Sequence, residues 1–303
     1  MLTRFFLSLF LIFSFLLMSE ERTIIHEGVE REFIVHVPEN FTEDSPIVFV
    51  IHGFTGSARD IMKYSRMNSI ADRESFIVIY PQGTKDREGN TFFNVGYEFH
   101  MNSTINDVSF IRDLFTLISG EYGLTRKKGF VTGMSNGGDM SYLLACTSAD
   151  LFRAVAPVAG SLMGKTKDEC NTQSPVPIFE IHGTGDQITL FEGDIENKEG
   201  WGAYYDLPST MKFFSDAYEL EEKSIKMISK KEDGFEYDTY FERYWSQNSD
   251  VEVWMYKIIG GRHVWPGFKL YWWENPFFWY YFGSGNDDID ASEEIWLFFE
   301  KYL

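Results

Sequence analysis

The sequence predicts an α/β fold with a mostly parallel central sheet, an N-terminal antiparallel hairpin and helices on both faces. Three observations carry this. Short, unbroken apolar runs recur at Ile47–Ile51, Phe76–Tyr80, Gly129–Thr132, Ala154–Val158 and Val176–Ile181, as strands buried on both faces require. Longer stretches with helical spacing lie between them, and strands alternating with helices imply parallel crossovers. An alternating segment precedes them all.

Taken in order, Thr23–His26 and Arg31–Val37 alternate around Glu27-Gly28 and read as a β-hairpin. Ser57–Asp72 reads as one helix. Asn106–Glu121 is the clearest helix, with Asn106 as N-cap and Val108, Ile111, Leu114, Phe115 and Ile118 on one face. Asn136–Ser148, Pro208–Glu221 and Ala291–Tyr302, the last behind an Asp290 cap, complete the helices. Val251–Ile259 is a late strand. In such sheets ligands sit at the carboxyl ends of the strands, so the chemistry is expected in the loops that follow them.

The chain has 303 residues, 44% hydrophobic and 24% charged, and it shows no internal repeat or low-complexity linker. That suits one domain over residues 20–303. Residues 1–19 read as a signal peptide: basic Met1–Arg4, then Phe5–Met18, apolar but for Ser8 and Ser14. The run is shorter than the roughly 20 residues of a spanning helix, so a secreted, extracellular or periplasmic protein with no stable membrane span is expected. Cys146 and Cys170 are the two cysteines. In an exported chain they allow one disulfide, worth roughly 3–4 kcal/mol in the chain-entropy model. With 27 basic against 46 acidic residues the net charge is −19. Such a surface repels phosphate backbones and anionic headgroups, so nucleic acid is not expected as a partner and a neutral substrate fits better. Solubility alone is the plainer reading of the charge.

After the strand ending in Thr132 comes Gly133-Met134-Ser135-Asn136-Gly137, followed by a helix. This is G-x-S-x-G in a strand–turn–helix context. Small residues two before and two after the serine let strand and helix pass, and the turn lifts the hydroxyl clear. A serine needs a base. Of six histidines only His263 lies far downstream in a turn-rich loop, Gly260–Gly267. The acid expected between them is Asp186, at the end of Ile181-His182-Gly183-Thr184-Gly185-Asp186, with Asp194 and Asp206 as rivals. Asn136 offers one backbone N–H to an oxyanion. The second is expected from His52-Gly53-Phe54-Thr55-Gly56, with Phe54 first and Thr55 as runner-up. His52 is expected to shape this turn. The histidines include no HxxxH pair and the cysteines no CxxC, so neither metal nor cofactor is expected.

Together HGFTGSARD (52–60), YPQG (80–83), GMSNGGDMSYLLAC (133–146), AVAPVAG (154–160), IHGTGD (181–186), GGRHVWPG (260–267) and DIDASEEIWLFF (288–299) resemble secreted α/β-hydrolase esterases. That group comprises poly(3-hydroxybutyrate) depolymerases, feruloyl esterases and acetylxylan esterases. The resemblance is collinear from about residue 24 to the C-terminus. It implies an α/β-hydrolase fold, a Ser135, Asp186, His263 triad and hydrolysis of an ester, either polysaccharide-linked or of a polyester oligomer. Phe54 and Thr55 depart from the H-G-C-x-Q pattern of many relatives. The alternatives are a peptidase or lipase on the same scaffold, and a non-catalytic glycan- or partner-binding protein.

Aromatic side chains make up 17% of the chain. Two loops concentrate them. Gln187–Asp206 holds Phe191, Trp201, Tyr204 and Tyr205, and Trp265–Phe282 contains a stretch, 271–282, with nine aromatics in twelve residues. Aromatic faces suit flat apolar or sugar ligands, so Trp201 and Trp265 are the expected substrate contacts. A self-packed loop and a membrane-surface or dimer contact are the alternatives for 271–282.

Overall fold

A computed structural model describes residues 19–234, 236–268, 286 and 288–303. Residues 1–18 of the expected signal peptide and the aromatic stretch 271–282 lie outside the described residues.

The hairpin forms as expected. β1 (Glu20–His26) and β2 (Val29–His36) pair antiparallel across Glu27-Gly28, where φ is 50° and 80°, the two left-handed positions of a tight hairpin turn. β3 (Ile47–Ile51), β4 (Ile77–Pro81), a two-residue ribbon of β5 (Thr84–Lys85) and β6 (Thr91–Phe92), β7 (Gly129–Met134), β8 (Phe152–Val158) and β9 (Ile178–Gly183) follow. β10 (Glu222–Ser229), β11 (Thr239–Trp245) and β12 (Val253–Ile258) complete the set. Apart from the ribbon these strands form one sheet in the order β1-β2-β4-β3-β7-β8-β9-β12-β11-β10. β4 through β12 in that order run parallel, and both flanks are antiparallel.

β10 and β11 have no counterpart in the sequence reading. Five of the eight residues of β10 are exposed and two more half-buried, so no apolar run or clean alternation marks this edge strand. Charged residues on an exposed edge also discourage pairing with another chain.

The helices are α1 (Ala58–Ser65), α2 (Met67–Glu74), α3 (Asp107–Glu121), α4 (Asn136–Thr147), α5 (Gly164–Asp168), α6 (Leu207–Ala217) and α7 (Ala291–Glu300). The single helix expected over Ser57–Asp72 is broken in two. Arg66 takes φ 53° and its N–H closes α1 on the Met62 carbonyl. Its guanidinium donates to the Gly267 carbonyl and to Asp290 Oδ2, both at 2.8 Å, and that tie holds the corner. Asn106 and Asp290 cap α3 and α7 as read from sequence.

β3 shows how the core is laid out. Ile47, Phe49 and Ile51 pack with the apolar faces of α3, α4 and α6. Val48 and Val50 pack on the other side with α1, α2 and α7. Every residue of β3 is buried, which is why its sequence is apolar at each position rather than at every second one. Cys146 at the end of α4 is bonded to Cys170 beyond α5. Among the described residues no helix is long and apolar enough to cross a membrane.

Candidate active site

The loops after β3, β7, β9 and β12 meet at the carboxyl edge of the parallel strands. Ser135 stands between β7 and α4 with φ 57° and ψ −121°, a conformation that non-glycine residues avoid and that functional sites retain. The glycines around it are sterically required. A side chain at Gly133 would come within 2.5 Å of the Gly137 carbonyl, and one at Gly137 would run into the carbonyl of Ile51. Ser135 lies on a narrow cleft whose walls include Tyr97, Asp139, Ser161, Thr189, Trp201 and Tyr204.

Asp186 and His263, 77 residues apart, are bonded through Oδ2 and Nδ1 at 2.7 Å. Both are buried. The other oxygen, Oδ1, accepts from the Ile188 and Thr189 N–H groups at 2.8 and 2.9 Å, which aims the carboxylate. Burial pushes the Asp186 carboxyl up, but His263, His182 and the Ile188 N–H outweigh it and hold it below its ordinary value. An ionised Asp186 fixes a hydrogen on His263 Nδ1, so proton exchange falls to Nε2. The rival acids are used elsewhere. Asp194 accepts from the Lys198 and Glu199 N–H groups in its own loop, and Asp206 caps α6.

Gly53 abuts the serine, since a side chain there would lie 3.2 Å from Ser135 Cβ. The Thr55 N–H donates to the Thr91 carbonyl at 2.8 Å. His52 sets the orientation of the peptide between Gly53 and Phe54. Its Nε2 accepts from the Gly83 N–H at 2.9 Å, so Nδ1 carries the hydrogen and donates to the Gly53 carbonyl at 2.7 Å. In a trans peptide the Gly53 carbonyl and the Phe54 N–H point opposite ways, so holding one aims the other. Burial lowers the His52 pKa to about 4 and keeps the ring neutral. The Asn136 side chain is locked to Phe93 by two bonds, at 2.7 and 3.0 Å. Its backbone N–H is at the first turn of α4, where helical N–H groups lack an intrahelical partner.

Trp201 lines the cleft and also a broader groove that includes Phe54, Arg87, Phe99 and His100. Its ring meets Phe54, Tyr97 and Phe99 edge-on at 5.2–5.5 Å. Trp265 is placed differently from the expectation. It is 2% exposed, packs with the α1, α2 and α7 side of the core and donates from Nε1 to Ser292 Oγ at 3.1 Å. A buried indole with its N–H satisfied is a core residue.

Three groups at the site escaped the sequence reading. Asp139 accepts from Tyr97 Oη at 2.6 Å and from Ser161 N and Oγ at 2.7 and 3.1 Å. Burial raises its pKa to about 6. Glu180 and His182 lie buried beside Asp186. Asp139 left one signal, as the one charged residue of α4. Glu180 left a similar one inside the strand IFEIHG. Among the described residues no group of three or more His, Cys, Asp or Glu is arranged to hold a metal ion.

Residues 33–198 match the family model described as esterase PHB depolymerase. The chain is 27% identical over 180 residues to a bifunctional acetylxylan esterase/xylanase of Neocallimastix patriciarum, a match covering 56% of this chain and 24% of that protein. It is 30% identical over 169 residues to feruloyl esterase B of Piromyces equi, covering 54% of this chain and 31% of that one. The chain thus spans less than a third of either relative. A solved acetyl xylan esterase from Aspergillus awamori aligns with TM-score 0.55 at 19% identity, over 80% of this chain and 94% of that chain. The fold is that of the α/β-hydrolases.

Proposed function

The chain belongs to the esterase PHB depolymerase family, and we propose that it is a secreted serine esterase working through Ser135, Asp186 and His263. The observation that carries this is the pairing of a strained, cleft-facing Ser135 with a buried Asp186–His263 bond. His263 takes the serine proton as Oγ attacks an ester carbonyl. The Asn136 and Phe54 N–H groups hold the resulting oxyanion. His263 then protonates the leaving alkoxide, and water activated by the same ring releases the acid.

The substrates proposed are feruloyl or acetyl esters on polysaccharide, or hydroxybutyrate oligomers, with Trp201 as a contact. The acetylxylan and feruloyl esterase relatives support this class. The Cys146–Cys170 bond supports an oxidising compartment. Ser135→Ala is expected to lower p-nitrophenyl acetate hydrolysis by at least about 10³-fold and to abolish labelling by a fluorophosphonate probe. Retained turnover or labelling would refute the assignment. Methyl ferulate, acetylated xylan oligomers and hydroxybutyrate oligomers, offered side by side, separate the acyl groups.

A further inference from the structure

His182 is buried at the end of β9, and both edges of its ring face acceptors. Nδ1 is 2.9 Å from Glu180 Oε1, and Nε2 is 2.9 Å from the Thr189 carbonyl oxygen. A neutral imidazole has a single N–H. If it is on Nε2, the Nδ1 lone pair faces a carboxylate. If it is on Nδ1, the Nε2 lone pair faces a carbonyl, with Asp186 Oδ2 a further acceptor at 3.5 Å. With Glu180 ionised, only a doubly protonated ring satisfies both edges; with the proton on Glu180 instead, a neutral ring bearing its hydrogen on Nε2 does so too.

The surroundings are built to hold that charge. Burial pushes the Glu180 carboxyl up to about 7, and the donors that face it besides His182, Tyr142 Oη at 2.9 Å and the Gly160 N–H at 3.3 Å, favour its ionised form. Burial opposes the charge on His182, but the bond to Glu180 and the charges of Glu180 and Asp186 outweigh it and raise its pKa. Several ionisable groups face the pair. Tyr142 of α4 and Asp186 of the loop after β9 contact it, and Asp139 of α4, Tyr204 of the loop after β9 and His263 of the loop after β12 lie behind them. Lys257 of β12 sits above the Phe191 ring at 4.9 Å, and that ring lies 6.0 Å from His182.

We infer that Glu180 and His182 are positioning residues for the proposed reaction: as a buried ion pair they place a cation against Asp186 and so set how strongly Asp186 holds a proton on His263. The same oxygen, Asp186 Oδ2, meets His263 Nδ1 at 2.7 Å and His182 Nε2 at 3.5 Å. A cation on one side of a carboxylate weakens its hold on a cation at the other. The imidazolium that forms on His263 in the proposed reaction is then held less tightly than by Asp186 alone. The inference rests on the triad reading above.

Glu180→Gln tests it. The amide is close to isosteric, donates to Nδ1 of a neutral His182 and still accepts from Tyr142. The acid limb of the kcat/KM–pH profile with p-nitrophenyl acetate is expected to move up by about one pH unit. A purely structural role for Glu180 would lower the plateau or the Tm and leave the limb in place. ¹⁵N NMR of histidine-labelled wild-type protein reads the pair directly, with the signal assigned through His182→Asn. Both His182 nitrogens are expected to be protonated at pH 7. An unprotonated His182 nitrogen in the wild type, or an unmoved acid limb in folded Glu180→Gln, overturns the inference. If Glu180→Gln does not fold, the wild-type spectrum decides. Failure of the triad reading would appear as activity retained in Ser135→Ala, while the spectrum would still report the state of His182.

Discussion

Asp139 sits one helical turn beyond Ser135 with 3% of its surface exposed. Its raised pKa, about 6, means that the folded protein holds a proton there more tightly than the unfolded chain. Stability therefore falls as pH rises from about 4 to 6, by roughly 3 kcal/mol for this group. Asp139→Asn keeps the hydrogen-bonding shape and removes the charge, so it is expected to raise Tm at pH 8 and to lose that advantage at pH 4. An equal gain at both values would show that the charge is not the cause. His52 has the opposite sign. Its pKa, lowered to about 4, adds stability above the ordinary histidine value that disappears as pH falls from about 6.5 to 4. In the proposed mechanism His52 acts through the Gly53 peptide, so His52→Gln is expected to lower kcat roughly 10²-fold with little change in KM; a change confined to KM would separate His52 from the proposed oxyanion site. In sequence, His52 was legible as a turn-shaping residue because it directly follows a strand. The partners of Asp139 were not, because Tyr97 and Ser161 reach it from distant segments.

At the scale of elements, strand and helix identities followed from periodicity wherever one face had to be buried. α3 is the clear case, with its Asn106 cap and its row of buried apolar residues. The break at Arg66 was not legible. It depends on a guanidinium meeting Gly267 and Asp290, more than 200 positions away. β10 and β11 were missed because an exposed edge makes no demand for alternation. The Cys146–Cys170 bond ties the end of α4, the helix that carries Asn136, to the segment beyond α5. Replacing both cysteines by serine is expected to cost roughly 3–4 kcal/mol, read as a lower denaturation midpoint. An unchanged midpoint in the double variant would show that the bond contributes little.

For the whole molecule the dominant quantity is the net charge of −19. A field of that sign slows the approach of anions, and salt screens it over about 10 Å at 0.1 M. Raising ionic strength is therefore expected to increase kcat/KM for an ester bearing a free carboxylate and to leave a neutral ester of similar size unchanged. Parallel salt responses for the two would remove the electrostatic explanation for a neutral substrate.

The parallel core strands, the hairpin, the capped helices α3 and α7 and the glycine-framed turn at Ser135 are determined by the sequence itself. Each depends on local periodicity or on the chemistry of a short turn, and both act between neighbours in the chain. Only the tertiary structure decided which strands lie side by side, that Trp265 belongs to the core, that Thr55 has given its N–H to Thr91, and that Glu180 and His182 stand beside Asp186. Those outcomes depend on register and packing between segments far apart in sequence. In a sheet buried on both faces, residues brought together in this way leave no periodic mark on the sequence.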